Sequence, residues 1–340
     1  MNTLPGHSAL LSLLLALIAG IAAMPAPVCA DELDHPVKLP AHFQNGLIFL
    51  KPVTEEGDTL RFFIDSADGS IIYEGAVNRL GLTAINAVIM GREQQAAFLP
   101  PFDEDNFIPS PSLSDGLLPV RADDRKPPHH EAILENADGI LGSTWFAQRT
   151  WSIDYRRERI YLIPTDQDTV SDALNGRPEN FEAGTAIPIS FRDENGSGRY
   201  HFANLPVIVA GDTLSMVLKT GSTIVIDEEV RAELDHPVSF FPAGLITDSV
   251  FNRWRQEHPD WRIIENADLH YGSDLIEVPT VRIGSHEAGP VYFAVRRDEA
   301  FDDWFSQFTA DSVVGALGPD AFRGARITIS YPNELILIHE

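Results

Sequence analysis

"RFFIDSADGSIIYEGAVNRLGL", residues 61 to 82, runs from a strand-like apolar stretch straight into an acid. Phe62, Phe63 and Ile64 deliver Asp65, and the small residues Ser66, Ala67 and Gly69 follow at once. Alone, the stretch reads as a strand ending in a turn, because Asp, Ser and Gly are ordinary turn residues. Whether the turn has a purpose depends on whether the chain builds it twice.

A second copy is present. "MVLKTGSTIVIDEEVRAEL", residues 216 to 234, follows the same plan: three apolar residues, a charged residue, small residues, an apolar stretch, then a helix-like segment ending in Leu. Lys219 stands where Asp65 stands, and Leu234 lies as far beyond Lys219 as Leu80 lies beyond Asp65. Further on, "DGILGSTWFAQRTWSIDY" (138 to 155) matches "VGALGPDAFRGARITISY" (314 to 331) without a gap. Gly139, Leu141, Gly142, Phe146, Ile153 and Tyr155 fall on Gly315, Leu317, Gly318, Phe322, Ile329 and Tyr331. Two matched pairs in the same order indicate a duplicated lobe.

Strand patterning dominates the rest. "GLIFLKPV", "SIDYRRERIYLI", "LPVIVAG", "LSMVLK", "VPTVRIG", "PVYFAVRR", "ARITISY" and "ELILIHE" are short, β-branched or aromatic, and bounded by turn residues. Short helices are expected at 75–80, 227–234, 248–256 and 300–308. Residues 100–131 carry seven prolines and an acidic patch and read as a long loop. Residues 164–185 are polar and turn-rich, as a linker between lobes would be.

The first thirty residues differ from all that follows. They contain no Lys, Arg, Asp or Glu, and Ala9 to Met24 form an apolar core too short for a comfortable membrane span. "PAPVCA" before "DELD" offers a cleavage site after Ala30, so residues 1–30 read as a secretory signal peptide. The expected division is signal 1–30, first lobe 31–163, linker 164–185 and second lobe 186–340. The mature protein is expected to be exported, to the periplasm or beyond, and free of the membrane. The single cysteine, Cys29, would leave with the signal, so neither disulfides nor thiol chemistry is expected. A formal net charge of −25 repels nucleic acid and anionic membranes.

The unit of strand, Asp-[Ser/Thr]-Gly-[Ala/Ser], helix, hairpin region and apolar-apolar-Gly resembles the retropepsin-like aspartic proteases. Two copies in one chain resemble the bilobal pepsin arrangement, over nearly the whole mature length. The resemblance implies an all-β, bilobal pepsin-like fold with few short helices, a peptide or protein ligand between the lobes, a monomer, and no cofactor or metal. In that family two carboxylates, one per lobe, share a proton and activate a water. Carried over, Asp65 takes the first catalytic position and Ser66 the hydroxyl that braces the turn. Ala67 replaces the glycine, and Asp68 follows it. In the second lobe Thr220, Gly221 and Ser222 match, but Lys219 replaces the acid.

An ammonium about 4 Å from a carboxylate attracts it by roughly 4 kcal/mol at an effective dielectric of ~20. Such a pair holds Asp65 ionised with a lowered pKa, and proton sharing is lost. Three functions follow: a peptide-binding protein with impaired catalysis, an aspartic endopeptidase using Asp65 with a non-standard partner, or a structural or inhibitory protein-binding module. Other signals are weaker. "HHE" at 129–131 reads as a solvated loop, "NGS" at 195–197 as a turn or glycosylation acceptor, and Ser66 beside Lys219 as a brace rather than a nucleophile pair.

Overall fold

The computed structural model describes residues 35–89, 92–111, 116–123, 136–163, 185–192 and 202–339. The expected signal at 1–30, residues 164–184 of the expected linker, and the "HHE" and "NGS" stretches lie outside the described residues. The first half runs β1 (Val37–Lys38), β2 (Ala41–Gln44), β3 (Leu47–Leu50), β4 (Phe62–Ile64) and β5 (Ile71–Tyr73) into helix α1 (Glu74–Arg79). It continues through β6 (Ala84–Ile89), β7 (Arg92–Phe98), β8 (Leu117–Arg121) and β9 (Gly139–Leu141) to α2 (Ser143–Phe146). Strands β10 (Thr150–Asp154) and β11 (Arg159–Ile163) close it.

The second half begins with β12 (Thr185–Pro188), β13 (Asn204–Val209), β14 (Asp212–Leu218) and β15 (Thr223–Val225), then α3 (Glu228–Glu233). Next come β16 (Phe240–Pro242), β17 (Gly244–Thr247) and α4 (Asp248–Glu257). Strands β18 (Ile263–Asp268), β19 (Ser273–Val278), β20 (Val281–Ile283), β21 (His286–Ala288) and β22 (Val291–Arg296) follow. Residues 300–307, where a helix is expected, form one π turn and one 3-10 turn. The chain ends with β23 (Gly315–Leu317), β24 (Arg326–Ser330) and β25 (Leu335–His339).

Each half folds around its own sheet, and the two sheets share the order of seven strands, from β3 to β6 in the first and from β13 to β18 in the second. The first has the order β2-β3-β4-β9-β5-β8-β7-β6, and the second, read in the matching sense, β21-β20-β13-β14-β23-β17-β22-β19-β18. Strand β4 is parallel to β9 as β14 is to β23, with Ile64 opposite Leu141 and Leu218 opposite Leu317. Strand β9 is antiparallel to β5, and β23 to β17. The central strands are buried on both faces, which is why "FFI", "GIL" and "GAL" are uniformly apolar rather than alternating. The expected all-β, bilobal architecture with few short helices is therefore what the chain adopts.

A third sheet, β1-β11-β10-β24-β25-β12, is assembled from both halves. In it β10 lies antiparallel to its own sequence repeat, β24, with Ser152 opposite Thr328. These two are counterparts in the duplication, so the approximate two-fold axis passes between them. The Thr328 hydroxyl donates to Ser152 Oγ at 3.3 Å.

Three expectations need correction. Residues 100–131 are not all loop: Leu117–Arg121 form β8, a parallel neighbour of β5. Pro119 hid this strand, since proline argues against a place inside a sheet. The hairpins β6–β7 and β18–β19 were also unread; β6 and most of β7 are exposed and lack alternation. Finally, the repeat is interrupted. From Asp65 the chain reaches β5 directly, but after Lys219 it makes an excursion through β15, α3 and β16 before β17 takes the place equivalent to β5. Helix α1 thus has α4, not α3, as its topological mate.

Candidate functional site

Strands β4 and β14 end side by side at the junction of the lobes. The Asp65 amide donates to Leu141 O at 3.1 Å, and the Lys219 amide donates to Leu317 O at 2.9 Å, the same bond made twice. Each turn then closes on itself, with the Asp68 amide reaching Asp65 O and the Ser222 amide reaching Lys219 O. Ser66 and Thr220 bind the turns to each other. The Ser66 amide donates to Thr220 Oγ1 at 3.0 Å, the Thr220 amide donates to Ser66 Oγ at 3.1 Å, and the Ser66 hydroxyl donates to Leu218 O at 2.7 Å. All three groups are buried, so losing any partner would leave an orphaned polar atom.

This cross-brace sets Asp65 against Lys219. Lys219 Nζ lies 2.5 Å from Asp65 Oδ2, while Asp65 Oδ1 accepts the Ala67 amide at 3.0 Å. A second Lys219 N–H reaches Ala67 O at 3.3 Å. The Asp65 side chain is 1% exposed and that of Lys219 15%, so solvent meets the ammonium and not the carboxylate. Both oxygens of Asp65 already face donors of the chain itself.

Gly221 makes this approach feasible, because a Cβ there would fall 2.6 Å from both Asp65 Oδ2 and Phe63 Cζ. Its counterpart Ala67 has room for its methyl, which packs in the second lobe's apolar cluster with Val217, Ile224 and Phe241. Ser222 is buried, and its hydroxyl has no hydrogen-bond partner among the described residues. Gly142 and Gly318 lie behind the turns. A Cβ on Gly142 would meet the Asp68–Gly69 backbone, and one on Gly318 the Ala243–Gly244 backbone. The second contact belongs to the chain entering β17, in keeping with the displaced repeat.

The electrostatics differ from the sequence expectation in one respect. Burial pushes the Asp65 carboxyl above the usual carboxylate range, with Asp68 adding to the shift, and the Lys219 ammonium only partly offsets it. The ion pair therefore does not lower the pKa of Asp65, because desolvation of a fully enclosed carboxylate outweighs one partner. Burial works against the Lys219 charge too, but Asp65 and Asp68 overcome it, and its pKa lies above the ordinary lysine value. Near neutral pH Lys219 is an ammonium facing the Asp65 carboxyl.

Sequence reasoning placed Asp65, Lys219, Ser66, Ala67, Thr220, Gly221 and Ser222 together, and the structure brings all of them to this junction. It missed two groups. Tyr155 and Tyr331, noted only as markers of the repeat, are buried and feel the Asp65 charge. Tyr271, on the turn after β18, adds to the field at Lys219 and is 56% exposed. Among the described residues no group of three or more His, Cys, Asp or Glu is placed to hold a metal ion.

No family model matches the sequence, and no curated protein matches it either. Among solved structures the chain is similar to conglutin gamma, a basic 7S globulin from lupine seeds, at 9% identity and a TM-score of 0.47, covering 90% of this chain and 95% of that one. It is likewise similar to an aspartic proteinase from Irpex lacteus, at 9% identity and a TM-score of 0.43, covering 89% of this chain and 97% of that one. At such identity the likeness concerns the fold and carries nothing about chemistry.

Proposed function

We propose that this chain is an exported, aspartic-protease-like protein that binds an extended polypeptide segment between its lobes and does not hydrolyse it. The observation that carries this reading is the Lys219–Asp65 pair at 2.5 Å, with Oδ1 taken by the Ala67 amide. General-base catalysis needs a carboxylate within hydrogen-bond reach of a water, and its acid partner needs a proton to lend. Asp65 faces two chain donors and almost no solvent, and Lys219 supplies a fixed charge where a shareable proton is required. Binding is retained because one Lys219 N–H goes to Asp65, a second to Ala67 O, and the third is left for a ligand carbonyl.

Export rests on the uncharged, apolar residues before Asp31. The test is incubation of the purified protein with a mixed peptide library between pH 3 and 7, followed by mass spectrometry of bound and free fractions. Retention of intact peptides supports the proposal. Cleavage products that disappear with Asp65→Asn would make the protein an endopeptidase with Asp65 as its acid.

A further inference from the structure

The excursion between Lys219 and β17 has no equivalent in the first lobe, and its placement has a consequence for the site. Side chains alternate across a strand, so Phe63 shares with Asp65 one face of β4. Around Phe63 that face continues as Leu47, Phe49, Ile71, Tyr73, Ala137 and Ile140, all buried. It is the face that meets the other lobe: the Phe63 ring lies against Gly221. What covers it is Phe240, 4% exposed, with Val238 packed alongside. Both residues belong to the excursion.

The excursion faces two cores, with Phe241 and its neighbours turned into the second lobe and Phe240, next along the strand, turned to the first. Strands β15 and β16 form a two-stranded ribbon outside the nine-stranded sheet, and such ribbons are marginal without support. Support comes from Ile224, Ile226, Val230 and Phe241 buried in the second lobe, from the Leu269 amide donating to Val225 O at 2.9 Å, and from an exposed Arg262–Glu233 ion pair of small worth. An extended ligand touching the open side of Lys219 and turning into the first lobe would need the apolar face that Phe240 and Val238 occupy.

We propose that residues 238–240 are a built-in cover, which seats Phe240 on the apolar face beside Asp65 and must lift before a polypeptide can lie there. This deepens the peptide-binding reading and rests on it. The free affinity for ligand is then reduced by the fraction of molecules with the cover lifted. Ligands able to displace it carry a large apolar side chain, since they must replace the contacts of Phe240.

The test uses the absence of cysteine beyond Cys29. Ala137→Cys, in full-length protein carrying Cys29→Ser, places a thiol on the covered face. Its labelling rate by a maleimide is compared with Phe240→Gly and with Phe240→Leu added. The expected result is slow labelling in the parent, at least tenfold faster labelling with Phe240→Gly, and retained protection with Phe240→Leu. Circular dichroism reports whether each variant is folded, and Phe240→Ser with Val238→Ser replaces Phe240→Gly if that variant is not. A fluorescein-labelled hexapeptide with a central phenylalanine should bind at least tenfold more tightly to Phe240→Gly than to Phe240→Leu, and should speed labelling of the parent thiol.

Rapid labelling in the parent overturns the cover and leaves peptide binding intact. Binding of the hexapeptide with no change in parent labelling overturns the gating, because the peptide then sits elsewhere. Labelling as expected but no binding to any variant upholds the seated cover and overturns the peptide-binding reading instead.

Discussion

Gly221 touches Asp65: a Cβ on this glycine would lie 2.6 Å from Oδ2, closer than real Cβ atoms come to a neighbour. The residue two positions beyond Lys219 thus sets the room for the carboxylate of the other lobe. The reverse relation does not hold, for Ala67 carries its methyl in the same position of its own turn and buries it. The duplicated turns have become unequal, one shaped to admit a carboxylate and the other to support an ammonium.

Gly221→Ala should therefore be costly. The added methyl displaces Asp65 or Phe63, and overpacking of this kind destabilises by about 1–3 kcal/mol. Ala67→Gly at the equivalent place only removes a buried methyl and frees backbone, at about 1 kcal/mol. Urea unfolding of both variants at neutral pH checks the order, and equal losses would contradict it.

Removing the ammonium should expose the cost of a buried charge. Lys219→Met leaves Asp65 enclosed and unpaired, a change worth about 3–5 kcal/mol at pH 8. The Asp65 pKa is raised in the folded state, so the neutral acid is favoured there and the penalty fades as pH falls through that value. The loss at pH 4 should be clearly smaller than at pH 8, and adding Asp65→Asn should restore most of it at pH 8. The raised Lys219 pKa has the opposite sign: its contribution is present below the ordinary 10.5 and is lost as pH rises through the folded value. Wild type should therefore show an alkaline loss that Lys219→Met lacks.

The fold was legible where a single local rule decides the outcome. The runs "FFI", "GIL" and "GAL" are short, apolar and bounded by turn residues, as buried strands are, and a glycine follows the last two because backbone passes against Gly142 and Gly318. The site was legible because duplication aligned Lys219 with Asp65. What could not be read was long-range pairing. "STIV" and "FFPAGLIT" are equally good strand material, and only the contact of Gly318 with Ala243 and Gly244 selects the second as the neighbour of β23. The direction of the Asp65 shift was misread for a related reason, since burial depends on what covers a turn.

Asp320 offers a pH test away from the pair. Its carboxyl is enclosed in the turn after Gly318, accepts the Tyr292 amide at 3.2 Å and pairs with Arg323. Burial lifts its pKa from 3.8 to about 6, against the pull of Arg323. The folded state favours the neutral acid, so its contribution is greatest below 3.8 and declines as pH rises through about 6. Above that range the charge costs about 3 kcal/mol. Asp320→Asn should gain about 1–2 kcal/mol at pH 8, discounted for the lost Arg323 pair, and nothing at pH 3.5. Thermal unfolding at the two pH values decides it.

Export is tested by the mature amino terminus. Amino-terminal sequencing of protein from the exported fraction should begin at Asp31 or within a few residues of it. Intact protein beginning at Met1 in the membrane fraction would indicate an uncleaved anchor.

The central claim is that Lys219 holds Asp65 as one half of an ion pair and so removes proton sharing. Its most direct test is peptide cleavage, between pH 3 and 7, by wild type, Lys219→Asp and Lys219→Asp with Asp65→Asn. Wild type should cleave nothing in an Asp65-dependent way. Lys219→Asp should gain acid-optimum activity, enlarged by Ala67→Gly and abolished by Asp65→Asn. Cleavage by wild type that is lost with Asp65→Asn but kept with Lys219→Ala would contradict the claim, because Asp65 would then work without the residue said to restrain it.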